Sequence, residues 1–261
     1  MKRNDDPRPK ATLLILGSKP EPVLPPSGSY DAFACANASG RSAARLGLGE
    51  PAFTVMTTAL TSGHKPANDL ALEALRGLRT GTLYLYPRPA SHGSLLKRLL
   101  REIRTIKVKP WYVERRLRRL GYRFDELQTP PRQWYHDLVL GLCDRDPAIA
   151  AQIAAKQPST GMIALAIGLA DPRYHRIVVS GFSFEITHAY AHNPLIDRLG
   201  TTRSKHADTD IAFLRCLVRR HANLYTTEPA VHERAGVPLL SVTTAAGAAR
   251  AHAPTSRTAI A

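Results

Sequence analysis

A chain of 261 residues with 44% hydrophobic content is long enough for one sizeable α/β core. Its 36 Lys plus Arg against 21 Asp plus Glu leave a formal charge of +15, which calls for an anionic partner such as an acidic membrane surface or a phosphorylated or carboxylated substrate. No run of about 18 apolar residues is present, the start Met1-Lys2-Arg3-Asn4-Asp5-Asp6 lacks the apolar segment of a secretion signal, and Cys35, Cys143 and Cys216 form no CxxC pair. A membrane-spanning protein, a disulfide framework and a zinc site are therefore not expected; a soluble protein of a reducing cytoplasm is.

The first predicted strand is the continuous apolar run Thr12-Leu13-Leu14-Ile15-Leu16, which stops at Gly17-Ser18 as a buried parallel strand does on leaving the core. A Pro-rich turn from Pro20 to Pro26 leads to a second run, Ala32-Phe33-Ala34-Cys35-Ala36, ending at Asn37-Ala38-Ser39-Gly40. Further strands are expected at Phe53 to Thr57, Thr82 to Tyr86, Arg176 to Ser180 and Asn223 to Thr226. Helical patterns cover Asn68 to Leu78, Leu95 to Ile106, Asp146 to Ala155, Met162 to Ala170 and Asp208 to Arg220. Strands alternating with helices predict a single Rossmann-like, doubly wound and mostly parallel sheet spanning residues 1–249. In that architecture ligands lie beyond the carboxyl ends of the strands, where Gly17, Asn37 and Gly181 fall. Residues 250–261 are small or polar without periodicity and read as a disordered tail.

Pro158-Ser159-Thr160-Gly161, the apolar helix that follows and the strand Ile177-Val178-Val179-Ser180-Gly181-Phe182 form a loop, a helix N-terminus and a buried strand. Free amides at such a helix start suit a phosphate or phosphodiester. Between residues 97 and 123 the chain carries eleven Lys or Arg interleaved with Leu, Ile, Trp and Tyr. This stretch reads either as a solvated helix face with Arg stems over the core edge or as contact with anionic glycan, lipid headgroups or nucleic acid. No recognisable nucleic-acid-binding motif accompanies the charge, so nucleic acid is not expected as a partner.

Three histidines, His188, His192 and His206, lie within nineteen residues between a strand and a helix. His206 stands at the entrance of the helix carrying Ile211, Leu214, Leu217 and Val218. The positive end of a helix dipole disfavours the imidazolium there, which leaves a neutral, proton-accepting ring of the kind a general base requires.

In this order the segments resemble the sialyltransferase family of inverting glycosyltransferases, which use sugar acids activated by cytidine monophosphate (CMP). Pro158-Ser159-Thr160-Gly161 with Val178-Val179-Ser180-Gly181-Phe182 resembles the small sialyl motif. Thr12 to Gly17 followed by Ala34-Cys35-Ala36-Asn37 resembles the large one. His188-Ala189-Tyr190 is similar to the third motif, and His206 followed by an acidic residue and a helix is similar to the very small motif.

The resemblance implies His206 as catalytic base and His188 as a catalytic group stabilising the departing CMP. It implies donor contacts from Gly17, Ser18, Asn37, Ser159, Thr160, Gly161, Gly181, Phe182 and Tyr190. Asp210 stands where the acidic partner of the base is expected, and residues 60–150 are the expected acceptor side. The implied donor is a CMP-sugar carrying sialic acid or 3-deoxy-manno-octulosonic acid (Kdo), and the implied acceptor is a glycan or glycolipid. Neither a metal nor another cofactor is implied. The lack of a cysteine between residues 158 and 182 fits a bacterial-type, cytoplasmic member working on cell-surface polysaccharide, with residues 97–123 available for peripheral contact with an anionic inner-membrane surface.

Two other readings of the residues stand beside this one. Asp144-Arg145-Asp146 and Asp208-Thr209-Asp210 have the Asp-x-Asp form used by metal-dependent nucleotide-sugar transferases, although acids are also favoured in a helix first turn. A non-catalytic nucleotide- or glycan-binding module would keep the fold without the chemistry.

Overall fold

The computed structural model describes residues 11–62, 66–87, 106–186 and 202–240. Seven strands, β1 (Ala11–Leu16), β2 (Ala32–Ala36), β3 (Phe53–Thr57), β4 (Arg79–Tyr86), β5 (Arg123–Gln128), β6 (Tyr174–Ser180) and β7 (Leu224–Thr226), form one sheet in the order β5-β4-β3-β2-β1-β6-β7. Every neighbouring pair is parallel, with Leu16 opposite Cys35 on one side and Ser180 on the other. The helices are α1 (Gly40–Arg45), α2 (Pro66–Ala74), α3 (Pro110–Arg119), α4 (Arg132–Leu142), α5 (Pro147–Ala155), α6 (Thr160–Ala170), α7 (Ala207–Val218) and α8 (Pro229–Ala235).

The continuous apolar runs of the central strands follow from a sheet covered on both faces, because successive side chains alternate between them. Leu13 and Ile15 of β1 join Val55, Ile177 and Val179 against α6 and α7, while Leu14 and Leu16 pack with Phe33, Cys35 and Val178 on the other face. Burying one such Leu or Ile is worth roughly 1.5–3 kcal/mol over leaving it in water, so both faces stabilise the sheet. Helix α6 runs across β3, β2, β1 and β6 and is buried from Gly161 through Gly168, which explains a sequence apolar on every side.

From β1 to β5 the chain moves steadily outward. It then returns beneath the sheet through α4, α5 and α6 to place β6 on the opposite flank of β1. The strand order therefore reverses between β1 and β6, and the crevice beyond their carboxyl ends is where such folds take ligands.

Several elements depart from expectation. Edge strand β5 has the sequence Arg-Phe-Asp-Glu-Leu-Gln and only one buried residue, Phe124, so it shows little of the apolar signal of the inner strands. Charges of this kind blunt a sheet edge, and Arg79 ties the edge together through Glu50 and Asp125. Helix α2 stops at Ala74, short of Leu78, because Gly77 turns into the left-handed region at φ +72°. The helix expected over 95–106 lies outside the described residues apart from its last position. Among the described residues no helix is long and apolar enough to cross a membrane.

Candidate functional site

The crevice floor is backbone. Gly17 follows β1 and Gly181 follows β6, and a Cβ on Gly17 would sit 2.3 Å from the Gly181 carbonyl oxygen, so only glycine permits this approach. Gly17 N donates to Ser180 O at 2.8 Å and Lys19 N to Gly181 O at 3.0 Å. Gly181 itself, at φ +74°, donates its amide to Glu228 Oε1 at 2.8 Å.

Glu228, 2% exposed, also accepts from Val23 N at 2.9 Å and from Lys19 Nζ at 2.7 Å. This carboxylate was not recognised in the sequence. Its signal was present in the Glu228-Pro229 pair at a strand exit, where proline opens α8.

The opposite wall is the start of α6. Ser159 is its N-cap, with Oγ accepting from Met162 N at 3.4 Å, so the amides of Thr160 and Gly161 are left without partners inside the helix. Phe182 is 8% exposed and lies against this turn. A Cβ on Gly161 would be 2.6 Å from its ring, so Phe182 shapes the loop by packing.

Asn37 joins three strand ends. It adopts φ +51°, accepts from Thr57 N through Oδ1 at 3.0 Å and donates through Nδ2 to Thr160 Oγ1 at 3.1 Å. The left-handed backbone suits Asn better than other non-glycine residues.

His206 is brought to the same wall from the far side of the fold. The Glu185–Arg203 bridge and the Ser204 N to Phe184 O bond at 2.9 Å lay residues 203–206 beside the exit of β6. His206 Nδ1 lies 2.9 Å from Gln157 O, one residue before Pro158. A carbonyl only accepts, so Nδ1 carries the proton and Nε2 keeps its lone pair. Burial lowers the pKa of the ring, and Lys205 and Lys156 push the same way against the Gln157 bond. The neutral ring expected at this helix entrance is therefore produced mainly by desolvation.

Asp210 does not turn to that ring. Its Oδ1 accepts from Ser159 N at 2.9 Å. The Ser159 hydroxyl serves as the α6 cap by accepting from Met162 N, and Thr160 and the helix amides stand beside it as donors for an incoming anion. Ser18 sits next to Gly17 at the crevice mouth. His188 and Tyr190 lie outside the described residues.

The chain matches no family model and no curated protein. Its fold is similar to that of the sialyltransferase CstII from Campylobacter jejuni in complex with a substrate analogue, CMP-3FNeuAc. The identity is 13%, the match covers 89% of this chain and 87% of that one, and the TM-score is 0.50. A second structure, a substituted sialyltransferase Cst-II in complex with CMP, matches at 12% identity over 89% and 87% with a TM-score of 0.49. At such identities the likeness is one of architecture: the single parallel sheet, with its reversal between β1 and β6, is a sialyltransferase-like α/β fold.

Proposed function

We propose that the chain is an inverting glycosyltransferase that moves a sugar acid, sialic acid or Kdo, from a CMP-activated donor to a glycan or lipid-linked acceptor. The observation that carries this reading is the placement of His206. Its Nδ1 is anchored on Gln157 O, immediately before the turn that leaves the amides of Thr160 and Gly161 open. In the proposed reaction the acceptor hydroxyl attacks the anomeric carbon while Nε2 takes its proton. The bond to the phosphate oxygen breaks, and CMP leaves with the electron pair. The α6 amides and dipole, Thr160, and by resemblance His188 and Tyr190 receive the charge that develops. The neighbouring fold whose structure holds CMP-3FNeuAc supports the choice of donor.

The Asp-x-Asp alternative is disfavoured by how these acids are employed. Asp208 pairs with Arg203, Asp210 bonds Ser159, Asp144 pairs with Arg220, and Asp146 caps α5 through Ala148 N. The proposed step needs no metal ion, because a singly esterified phosphate leaves into donors the protein supplies.

The exposed face of α3 carries Trp111, Arg115, Arg118 and Arg119, following Lys107 and Lys109. That face supports peripheral contact with an anionic membrane from the cytoplasmic side, measurable as sedimentation with acidic but not neutral vesicles.

The deciding experiment incubates the protein with CMP-sialic acid and CMP-Kdo separately, with and without EDTA, and follows CMP release. Release from one donor, unchanged by EDTA, is expected. Turnover restricted to uridine or guanosine sugars would sink the reading, and CMP binding without sugar release would identify a non-catalytic module.

A further inference from the structure

The first turn of α4 holds a side-chain cluster that the chemistry above does not use. Arg132 aims Nε at His136 Nε2, 3.3 Å away and one helical turn along, and the Tyr86 hydroxyl at the end of β4 lies 3.3 Å from the same nitrogen. Because Arg Nε–H can only donate, His136 Nε2 is an acceptor and the ring is neutral, with its proton on Nδ1. Burial and the adjacent guanidinium both lower the His136 pKa, in keeping with a neutral ring. Tyr86 is 1% exposed and meets Tyr135 edge-on at 5.1 Å, and Tyr135 in turn donates to Leu85 O at 3.2 Å. The props beneath Arg132 are therefore rigid.

Those props are also uncharged, and among the described residues Arg132 makes no ion pair. A guanidinium held by neutral partners keeps its full charge for a ligand, and the planar fork matches a carboxylate bidentately. Its position indicates which carboxylate. The cluster stands at the carboxyl edge of the sheet, at the end of β4. That is about 10 Å along the edge from β2 and Asn37 and about 14 Å from β1 and Gly17, taking about 4.8 Å per strand. It therefore lies on the far side of Asn37 and Thr160 from the nucleotide crevice. It still stands on the same carboxyl edge as Asn37, since Tyr86 is in register with Thr57, whose amide donates to Asn37 Oδ1 at 3.0 Å.

We propose that Arg132, propped by His136 and Tyr86, binds the carboxylate of an acidic sugar acceptor. The inference rests on the glycosyltransferase reading and names the acceptor class for it.

The test compares two acceptors that differ by one acidic sugar, lactose and sialyllactose, with whichever CMP-activated donor the wild-type chain turns over. In Arg132→Gln the KM for sialyllactose is expected to rise on the order of 10- to 100-fold, the size of a lost charge-assisted pair. The KM for lactose and the rate of donor hydrolysis are expected to stay unchanged. Arg132→Lys should recover part of the loss, and His136→Ala should raise the same KM less. Equal losses on both acceptors, a change confined to the donor KM, or no change in Arg132→Gln would each overturn the proposal; the second would assign the carboxylate to the donor. A wild-type protein inactive with every activated donor would remove the enzyme reading and this inference together. An active wild type with an unshifted Arg132→Gln would remove only the inference.

Discussion

Asp210 accepts the Ser159 amide at 2.9 Å, and this bond fastens the first turn of α7 to the N-cap of α6. Two segments fifty-one residues apart thereby share one rigid corner, with His206 on one side of it and the open α6 amides on the other. The acid that resemblance would pair with His206 instead holds the loop against which that ring rests.

Burial pushes the Asp210 carboxyl up to about 7 from 3.8, against the pull of its Ser159 bond. The folded state thus holds this proton more tightly than the unfolded chain does. The contribution to stability is complete below about pH 4 and is lost as pH rises through about 7. Asp210→Asn keeps an oxygen for the Ser159 amide and abolishes the titration. The melting temperature of Asp210→Asn minus that of wild type should increase from pH 4 to pH 8 in thermal scans; a difference independent of pH would show that the group does not titrate in this interval.

For His206 the direction is opposite. The ring pKa is lowered from 6.5, so the neutral, proton-accepting form persists at neutral pH, and kcat/KM should decline only as pH falls through that lowered value. His206→Ala should lose on the order of 10²–10⁴ in kcat, the usual scale for a positioned base, and should still bind CMP in a calorimetric titration. Full turnover in that variant would remove His206 from the role.

Gly161 and Phe182 form a separable pair. A methyl group on Gly161 would meet the buried Phe182 ring at 2.6 Å, so Gly161→Ala should cost about 1–3 kcal/mol and weaken CMP binding. Trimming the ring with Phe182→Leu should restore much of the Gly161→Ala stability, a coupling that a double-mutant cycle by denaturant melts measures directly. No such rescue is expected for Gly17→Ala, whose methyl would meet the Gly181 carbonyl at 2.3 Å.

Glu228 gathers Lys19, the Val23 amide and the Gly181 amide at the strand reversal. Glu228→Ala leaves both amides without this acceptor, at about 1–3 kcal/mol for each left buried, and should lower both the melting temperature and CMP affinity. Glu228→Gln retains an oxygen acceptor and breaks only the ion pair with Lys19, which is itself one-third exposed, so a much smaller effect is expected. Equal losses in the two variants would show that the charge, rather than the acceptor, holds the crevice.

Much of this protein is legible in local patterns. The apolar runs at Thr12 to Leu16, Ala32 to Ala36 and Arg176 to Ser180, each halted by a small polar or glycine residue, determine a parallel sheet and the places where it opens. Ser159 before an apolar helix determines an N-terminus with free amides, and His206 before another determines a histidine at a helix entrance. These signals are carried by neighbours in the chain, where hydrophobic period and capping chemistry operate.

Long-range partnerships were decided by the tertiary structure. No local rule foretells that Asp210 will seek Ser159, that Glu228 will close on Gly181 and Lys19, or that Gln157 O will fix the tautomer of His206. Nor does any local rule foretell that Arg132 and His136 of α4 will meet Tyr86 at the end of β4. Edge strand β5 was hidden for a related reason: with its charges facing water it has no need of the inner strands' apolar run. The physical distinction is between propensity, which neighbouring residues set, and the desolvated hydrogen bonds and charges of the site, which exist only once the folded sheet has brought distant residues within about 3 Å of one another.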